Sequence, residues 1–354
     1  MHQVFAGCSR LNNTETITTD FVWRMPDESE PHERTWMAFG ASGKIWGHRL
    51  LPEVQANLVA IAKSIAEYEP VYMLVREADY DLAAQKFGSS VNLVICPLDD
   101  LWMRDTGPVF VKSDQGKIKG IDFNFNGWGQ KQVHDYDAEV AHFVTGHVGS
   151  QTIATQLILE GGAIEVDGHG TAMITESSVL NQNRNPGMSK SEFEALLKPL
   201  LGLRKIIWLP GIAGRDITDG HIDFYARFIR PGVVVAAYEP DSTFFDHAVT
   251  KTHLDILRSE TDADGRQLEV IVLENPQTIR PAFETDDFAA GYINFYIVNG
   301  AVIVPEFGDE FADSKTKSIL QDLYPNRDIV QLNIDAIAAG GGGIHCTTQQ
   351  QPQA

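Results

Sequence analysis

The sequence predicts an α/β fold in which small strand-strand-helix-strand units pack radially around a common axis. Three observations carry that expectation. The same order of elements recurs four times, at intervals of roughly 60 residues. No unit of that size buries its own apolar face, so the copies must cover one another, and closure around an axis is one way to do it. The two chain ends hold the parts of a fifth copy, which they would build jointly. A single mixed sheet with helices on it is the other arrangement that this order of elements allows.

In order along the chain, residues 1–24 are polar and rich in Thr and Asn and read as a loose arm, followed by a single domain over residues 25–352. The run Thr35-Trp36-Met37-Ala38-Phe39 suits a buried strand. A helix follows with Pro52 in its first turn, where a missing N–H costs little, and with Val54, Leu58, Ile61 and Ile65 along one face. Residues 71–75 read as a buried strand, 79–87 as a short helix and 91–96 as a further strand.

The first full unit then has a hairpin over 108–123 turning at Asp114-Gln115-Gly116, a helix near 138–144 and a strand over 152–158. The second turns at Asp167-Gly168-His169-Gly170 within 163–175. Its helix has two candidate capping boxes, Ser189 with Glu192 and Ser191 with Glu194, and ends at Gly202 before a strand over 205–209. The third turns at Arg230-Pro231-Gly232 within 224–238, with a helix near 244–258 and a strand over 269–273. The fourth turns at Asn299-Gly300, a type I′ signal, between strands over 292–298 and 301–305; a helix over 314–323 and a strand over 329–332 complete it.

Composition narrows the function. The chain has 354 residues, 43% hydrophobic and 21% charged, which suits a folded domain with a sizeable core. Its 48 acidic residues against 28 Lys plus Arg give a net charge of -20, which argues against nucleic acid as a partner and suits a small cation. Cys8, Cys96 and Cys346 form no paired framework, so no disulfide is expected. No apolar run has the length of a membrane span, and no membrane partner is expected. Val4-Phe5-Ala6-Gly7-Cys8 is taken as a chance likeness to a lipoprotein cleavage site, so a cytoplasmic protein is expected, with a removed leader left open.

Radial packing would bring the residues just before each hairpin to equivalent positions on one face. Those residues are polar: Asp99, Asp100 and Trp102-Met103-Arg104-Asp105; Glu160-Gly161-Gly162; Asp216, Asp219, His221 and Asp223; Glu284, Asp286 and Asp287, with Asn294 in the following strand. The fifth position falls to Gly340-Gly341-Gly342-Gly343-Ile344-His345-Cys346. Four glycines in succession suggest positive φ or a close backbone approach, and they present a thiol. The set amounts to a nucleophile, a base and carboxylates able to grip a planar cation. A guanidinium carbon resists attack until its charge is held and oriented. Attack by Cys346, departure of ammonia protonated by His221, and hydrolysis of the S-alkylthiouronium by water that His221 deprotonates would complete a deimination.

Each piece also has a plainer reading. Asp105 beside Arg104 would serve as a buried ion pair, and Glu160 as a solvated turn carboxylate. His221 and Asp223 would share one face of a strand, where a metal pair is possible, but no further His or Cys lies at metal spacing, which argues against a metal. On an extended chain His345 points away from Cys346 and is a poor base. Cys96 reads as core, Cys8 as surface and His32 as structural.

With these residues in place, the chain resembles the agmatine deiminase family, which also contains the bacterial type of peptidyl-arginine deiminase. The matches are Met25-Pro26 with Glu30-Pro31-His32-Glu33 and Trp36-Met37; Trp102-x-Arg104-Asp105-Thr106-Gly107-Pro108; Phe123-Asn124-x-x-Gly127-Trp128-Gly129; Glu160-Gly161-Gly162; Asp219-Gly220-His221-Ile222-Asp223; and Gly341-Gly342-Gly343-Ile344-His345-Cys346-x-x-Gln349-Gln350. The resemblance implies a pentein α/β-propeller of five ββαβ units around a pseudo-fivefold axis, and a hydrolase acting on C–N bonds of linear amidines. It implies Cys346 as nucleophile, His221 as acid and base with Glu160 beside it, and Asp105 and Asp223 as the guanidinium carboxylates. Trp102 would pack on the substrate's methylenes, and Asn294 joins the substrate-binding set. No cofactor or metal is implied.

The expected substrate is agmatine, a small cationic guanidino compound. Free or peptidyl arginine on the same machinery is the alternative, and a catalytically silent guanidino-compound binder is a third. Asp135, Asp137, Asp216 and Asp219 are candidates to meet a distal ammonium, whereas Lys131 and Arg215 would suit a carboxylate. Self-association into a homo-oligomer is left open.

Overall fold

Every hairpin expected from the sequence forms, and each takes a third strand in parallel after a crossover. The computed structural model describes residues 22–354. The first sheet pairs Val109–Ser113 antiparallel with Ile118–Asp122, which runs parallel to Gln151–Ala154. The second has Glu165–Val166, Thr171–Thr175 and Lys205–Leu209; the third has Ala226–Arg230, Val233–Tyr238 and Glu269–Glu274. The fourth has Tyr296–Val298, Ala301–Glu306 and Asp328–Asn333. The fifth joins the chain ends: Thr348–Pro352 pairs antiparallel with His32–Phe39, which runs parallel to Val71–Val75 and, beyond it, Asn92–Ile95.

Strand alternation explains why the five units close. Successive side chains of a strand point to opposite faces. In the strand His32–Phe39, Trp36 and Ala38 enter the cluster shared with the first unit, while Met37 and Phe39 enter the cluster shared with the fourth. In Thr171–Thr175, Ala172 and Ile174 pack with the first unit and Met173 with the third. In Val233–Tyr238, Val234 and Ala236 pack with the second unit, and Val233, Val235 and Ala237 with the fourth. Each apolar cluster straddles neighbouring units, so five half-covered sheets become one ring of shared cores around a pseudo-fivefold axis.

Boundaries differ from the sequence reading where side chains are committed elsewhere. The first long helix is Gly43–Ala66, two helical pieces kinked at Gly47 (φ 66°), so Pro52 lies inside the second piece and not in the opening turn. Of the two capping boxes, Ser189 with Glu192 forms, heading the helix Lys190–Leu201. The fourth hairpin starts at Tyr296 and not at 292, because Asn294 turns inward to the Cys346 loop. Of the expected arm, residues 1–21 lie outside the described residues, as does Cys8; Trp23–Arg24 pairs with Lys112–Ser113 and adds a fourth strand to the first sheet. Among the described residues no helix is long and apolar enough to cross a membrane.

Where the units converge, the interior is charged. Glu28 is buried, with Oε1 accepting from the Ile297 amide at 2.8 Å and lying 2.9 Å from Arg227 Nη2. Its Oε2 accepts from Arg104 Nη2 at 3.1 Å and lies 2.9 Å from His345 Nε2. Arg227 also donates to Glu165 Oε2 and to the Phe295 carbonyl, both at 2.8 Å, and Arg104 donates to Gln350 Oε1 at 2.8 Å. All five units and the segment entering the ring meet in this array. Burial opposes ionisation of Glu28, but Arg227, His345 and Arg104 hold its pKa well below the ordinary carboxylate value.

Removing one partner of such a network leaves an uncompensated buried charge. Arg227→Leu is expected to lower unfolding stability by about 3–5 kcal/mol in urea denaturation, and Glu165→Gln placed on top should recover part of the loss. Additive losses in the double variant would mean that the two groups do not share one network.

Candidate active site

Loops that enter the inner strands deliver the polar residues. Met103–Thr106 forms one helical turn before the first hairpin and carries Asp105. Gly161–Ala163 and Ile222–Phe224 are 3₁₀ turns that follow Glu160 and His221 directly. His345–Thr347 is another, and it carries Cys346. His221 and Asp223 therefore do not share the face of a strand, as the sequence suggested; the tight turn between them aims both inward.

These turns bring together Cys346, His221, Glu160, Asp105, Asp223 and Asn294. His221 Nε2 lies 3.0 Å from Glu160 Oε2, and His221 Nδ1 lies 3.8 Å from Asp105 Oδ1. Asp105 accepts from the Gly162 amide at 3.0 Å and from Trp128 Nε1 at 2.9 Å. Asp223 Oδ2 lies 2.8 Å from His345 Nδ1 and 3.7 Å from Cys346 Sγ, while its buried Oδ1 has no hydrogen-bond partner among the described residues. Asn294 holds the thiol from both ends: its Nδ2 lies 3.3 Å from Sγ, and its Oδ1 accepts from the Cys346 amide at 3.3 Å.

The glycine run is packed, not loose. A Cβ on Gly340 would lie 2.2 Å from the Trp46 ring, one on Gly342 2.1 Å from the Trp102 ring, and one on Gly343 2.3 Å from Asn294 Oδ1. Gly341 takes φ +87°. The two indoles lie 5.7 Å apart and both donate to Asp100, from Trp46 Nε1 at 2.7 Å and from Trp102 Nε1 at 3.0 Å. The backbone can approach these rings only without side chains, which is why glycine recurs here. At Gly162 a Cβ would stand 2.7 Å from His221 Nδ1, 2.9 Å from Asp105 Oδ1 and 3.1 Å from Asp223 Oδ2, so its absence opens the space between them.

Electrostatics set the resting protonation. Burial works against charge on His221, but Asp105, Glu160 and Asp223 raise its pKa to about 9, giving an imidazolium at neutral pH. Burial, then Asp223 and Asp105, push the Cys346 thiol well above its ordinary value, so it rests protonated. Burial, with Glu160 and Asp223, raises Asp105 to about 6. Burial opposes ionisation of Glu160 and Asp223, yet His221 and Arg184 pull Glu160 down, and His345, His221 and Arg227 pull Asp223 down. The site thus presents carboxylates and an unsatisfied oxygen to a cation, a proton donor, and a thiol that a cation beside it would acidify.

Several sequence expectations change here. Arg104 pairs with Glu28, not with Asp105. Glu160 is buried and held by Arg184 Nε at 2.8 Å, so it is no solvated turn carboxylate. His345 is not on extended chain, and its ring reaches Asp223. Asp219 is already bound by Lys131 at 2.7 Å and Arg184 at 2.9 Å, and Asp137 accepts from the Asp99 and Asp100 amides, so neither is free for a ligand's ammonium. Asp216 Oδ1 accepts from Thr218 and Gly220 within its own turn. Cys96 is buried, its thiol pushed up to about 12 by burial, and His32 is buried between Glu69 and the Glu28 carbonyl, as expected of core and structural roles. Trp128 and Arg184 were given no role in advance. Trp128 lay in a matched motif; Arg184 lies on a connecting segment where nothing in its neighbours marks it.

The Porphyromonas-type peptidyl-arginine deiminase family model matches residues 24–352. A Streptomyces coelicolor relative is 40% identical over 340 residues, covering 94% of this chain and 99% of its own. An agmatine deiminase of Pseudomonas aeruginosa is 37% identical over 364 residues, covering 96% and 98%. Among solved structures, the agmatine deiminase of Enterococcus faecalis superposes with a TM-score of 0.88 at 34% identity, covering 94% of this chain and 96% of that one. An amidinotransferase of Microseira wollei, at 12% identity and a TM-score of 0.52, shares the fold alone. The fold is thus the pentein α/β-propeller, and with this much of the chain matched the protein belongs to the Porphyromonas-type peptidyl-arginine deiminase family.

Proposed function

We propose that this protein is an agmatine deiminase, hydrolysing agmatine to N-carbamoylputrescine and ammonia through an amidino-cysteine on Cys346. One observation carries the reading: Asp105 and Asp223 converge on His221 across the bare backbone of Gly162, with Cys346 Sγ 3.7 Å from Asp223. A guanidinium there meets carboxylates on two sides, and Asp223 Oδ1 gains the donor it lacks. A unit charge about 4 Å from Sγ is worth about 4 kcal/mol at an effective dielectric near 20, enough to acidify the thiol about a thousandfold. Substrate binding itself therefore opposes the two carboxylates that suppress the thiolate.

As the cation binds, the thiol proton leaves to solvent, and the Sγ thiolate attacks the guanidinium carbon while His221 stays protonated. His221 gives its proton to the departing nitrogen, and ammonia leaves as the tetrahedral adduct collapses to the thiouronium. The now neutral His221, oriented by Glu160, takes a proton from water; hydroxide adds to the same carbon, and collapse restores Sγ and releases the ureido product. Asn294 holds the thiol, Trp102, packed on Gly342, is assigned to the substrate's methylenes, and the chemistry asks for no cofactor.

Engagement of the nominated side chains does not separate agmatine from arginine, since Asp219 and Asp137 are bound as well as the cations. Lys131 is taken up by Asp219 and the Ile217 carbonyl, and Arg215 lies over the Phe245 ring and donates to the Asp286 carbonyl, so both cations suited to a substrate carboxylate are engaged. The choice of agmatine rests on the matched relatives named as agmatine deiminases. The unpaired thiols of Cys96 and Cys346 fit a cytoplasmic site of action.

Steady-state kinetics with agmatine, free arginine and a blocked arginine peptide test the assignment. Agmatine is expected to lead in kcat/KM by at least about tenfold, and acid-quenched mass spectrometry should find an amidino adduct on Cys346 that Cys346→Ser lacks. A peptide turned over as well as agmatine would reject the substrate. Gly162→Ala is expected to raise KM at least about tenfold by intruding between Asp105, Asp223 and His221, and to cost about 1–3 kcal/mol of unfolding stability through the same close contacts. An unchanged KM would remove the cradle. Because Asp105 loses its charge as pH falls through about 6 and His221 loses its proton as pH rises through about 9, kcat/KM should fall on both sides of that window. A profile that stays flat from pH 5 to about 10 would contradict both assignments.

A further inference from the structure

The turn that carries the nucleophile also carries a buried histidine that the chemistry above leaves unused. His345 Nδ1 lies 2.8 Å from Asp223 Oδ2, and Nε2 lies 2.9 Å from Glu28 Oε2. Its own backbone is fixed on both sides: its amide donates to the Asn294 carbonyl at 3.1 Å, and its carbonyl accepts from Arg104 Nε at 3.3 Å. Its ring spans the gap between the charged centre of the ring of units and the nucleophile's pocket.

The two carboxylates it touches are held very differently. Glu28 has Arg104, Arg227 and the Ile297 amide to fix it. Asp223 has no such support: among the described residues the hydrogen-bond donors to Oδ2 are His345 and, at 3.7 Å, the Cys346 thiol, and Oδ1 meets none. Asp105 and Glu160 also face the same pocket with like charge. A carboxylate with one strong donor takes its orientation from that donor.

We infer that His345 is a positioning residue for substrate binding: its Nδ1–H docks Asp223 onto Glu28, and so fixes the angle at which Asp223 meets the guanidinium. The inference rests on the reading of Asp223 as a guanidinium carboxylate. Loss of the Nδ1 donor frees Asp223 to turn away from its neighbours, so the substrate must reorder it on binding. That cost falls on affinity before it falls on chemistry. Loss of the Nε2 contact alone leaves Glu28 with its two arginines, and leaves Asp223 where it is.

Two near-isosteric substitutions separate these contacts. Asn places its amide nitrogen at the covalent position of Nδ1, and Gln places its own at that of Nε2. His345→Asn is expected to keep the agmatine KM within about threefold of wild type, while His345→Gln raises KM at least about tenfold with a smaller change in kcat. Melting temperatures and active-site titration of both variants correct for folding. The two variants behaving alike, or in the reverse order, overturns the inference; a merely structural histidine would lower kcat with the folded fraction and leave KM alone. Asp223→Asn, measured alongside, tests the underlying reading: a wild-type KM there removes Asp223 from the guanidinium, whereas an impaired Asp223→Asn with a normal His345→Gln rejects His345 alone. Nitrogen NMR of the histidine-labelled wild-type enzyme needs no substitution to fold. It should show a proton on His345 Nδ1, and a bare Nδ1 overturns the proposal.

Discussion

The constraint on which the structure depends is the burial of Glu28 between Arg104 and Arg227, where the units of the ring meet. Taking such charges out of water costs several kcal/mol per ion, and the cost is offset only when every lone pair and N–H finds a partner. Here the partners come from every unit: Glu165, Arg227, the Phe295 carbonyl, the Ile297 amide, Gln350 and Arg104. A repeat fold held by apolar clusters alone would tolerate sliding of one unit against the next. A buried ionic centre does not, because a small displacement strips a buried charge of its partner. The same centre reaches through Glu28 to His345 and Asp223, so the geometry of the pocket is referred to the place where all the units agree.

The pocket inverts the usual economy of buried charge. Asp105, Asp223 and Glu160 are within one small volume, and desolvation opposes ionisation in all of them. His221 and Arg184 relieve part of that repulsion, and the rest awaits a cation. This is why the thiol is suppressed at rest: the negative charge that welcomes a guanidinium is the same charge that disfavours a thiolate. An unoccupied site that holds its nucleophile protonated is protected from stray oxidation and alkylation, since the thiolate is the reactive form.

The ring of units was legible in the sequence because its signals are local. Turn residues such as Asn299-Gly300, the Ser189 capping box and the alternation of apolar residues each act within a few positions, and each recurs. Cys346, His221, Glu160, Asp105 and Asp223 were legible because all precede a hairpin, and radial symmetry places such residues together. What was hidden depends on tertiary contact. Whether Asp219 meets ligand or Lys131 and Arg184 is decided by side chains far along the chain, and the direction of His345 depended on whether its loop was extended or a 3₁₀ turn. Arg184, which holds Glu160, sits on a segment whose composition says only that it is a connection.

The glycines before Cys346 join these two themes. Their lack of side chains lets the backbone lie against Trp46 and Trp102, and Asp100 holds both indoles by their N–H groups. The indoles belong to opposite sides of the chain's closure: Trp46 opens the long helix of the fifth unit, and Trp102 precedes the first hairpin. Cys346 is therefore held in place by contacts that exist only with the chain ends joined and the first and fifth units packed. A nucleophile held in this way is one that the half-closed chain does not position against His221, which couples reactivity of the thiol to completion of the ring.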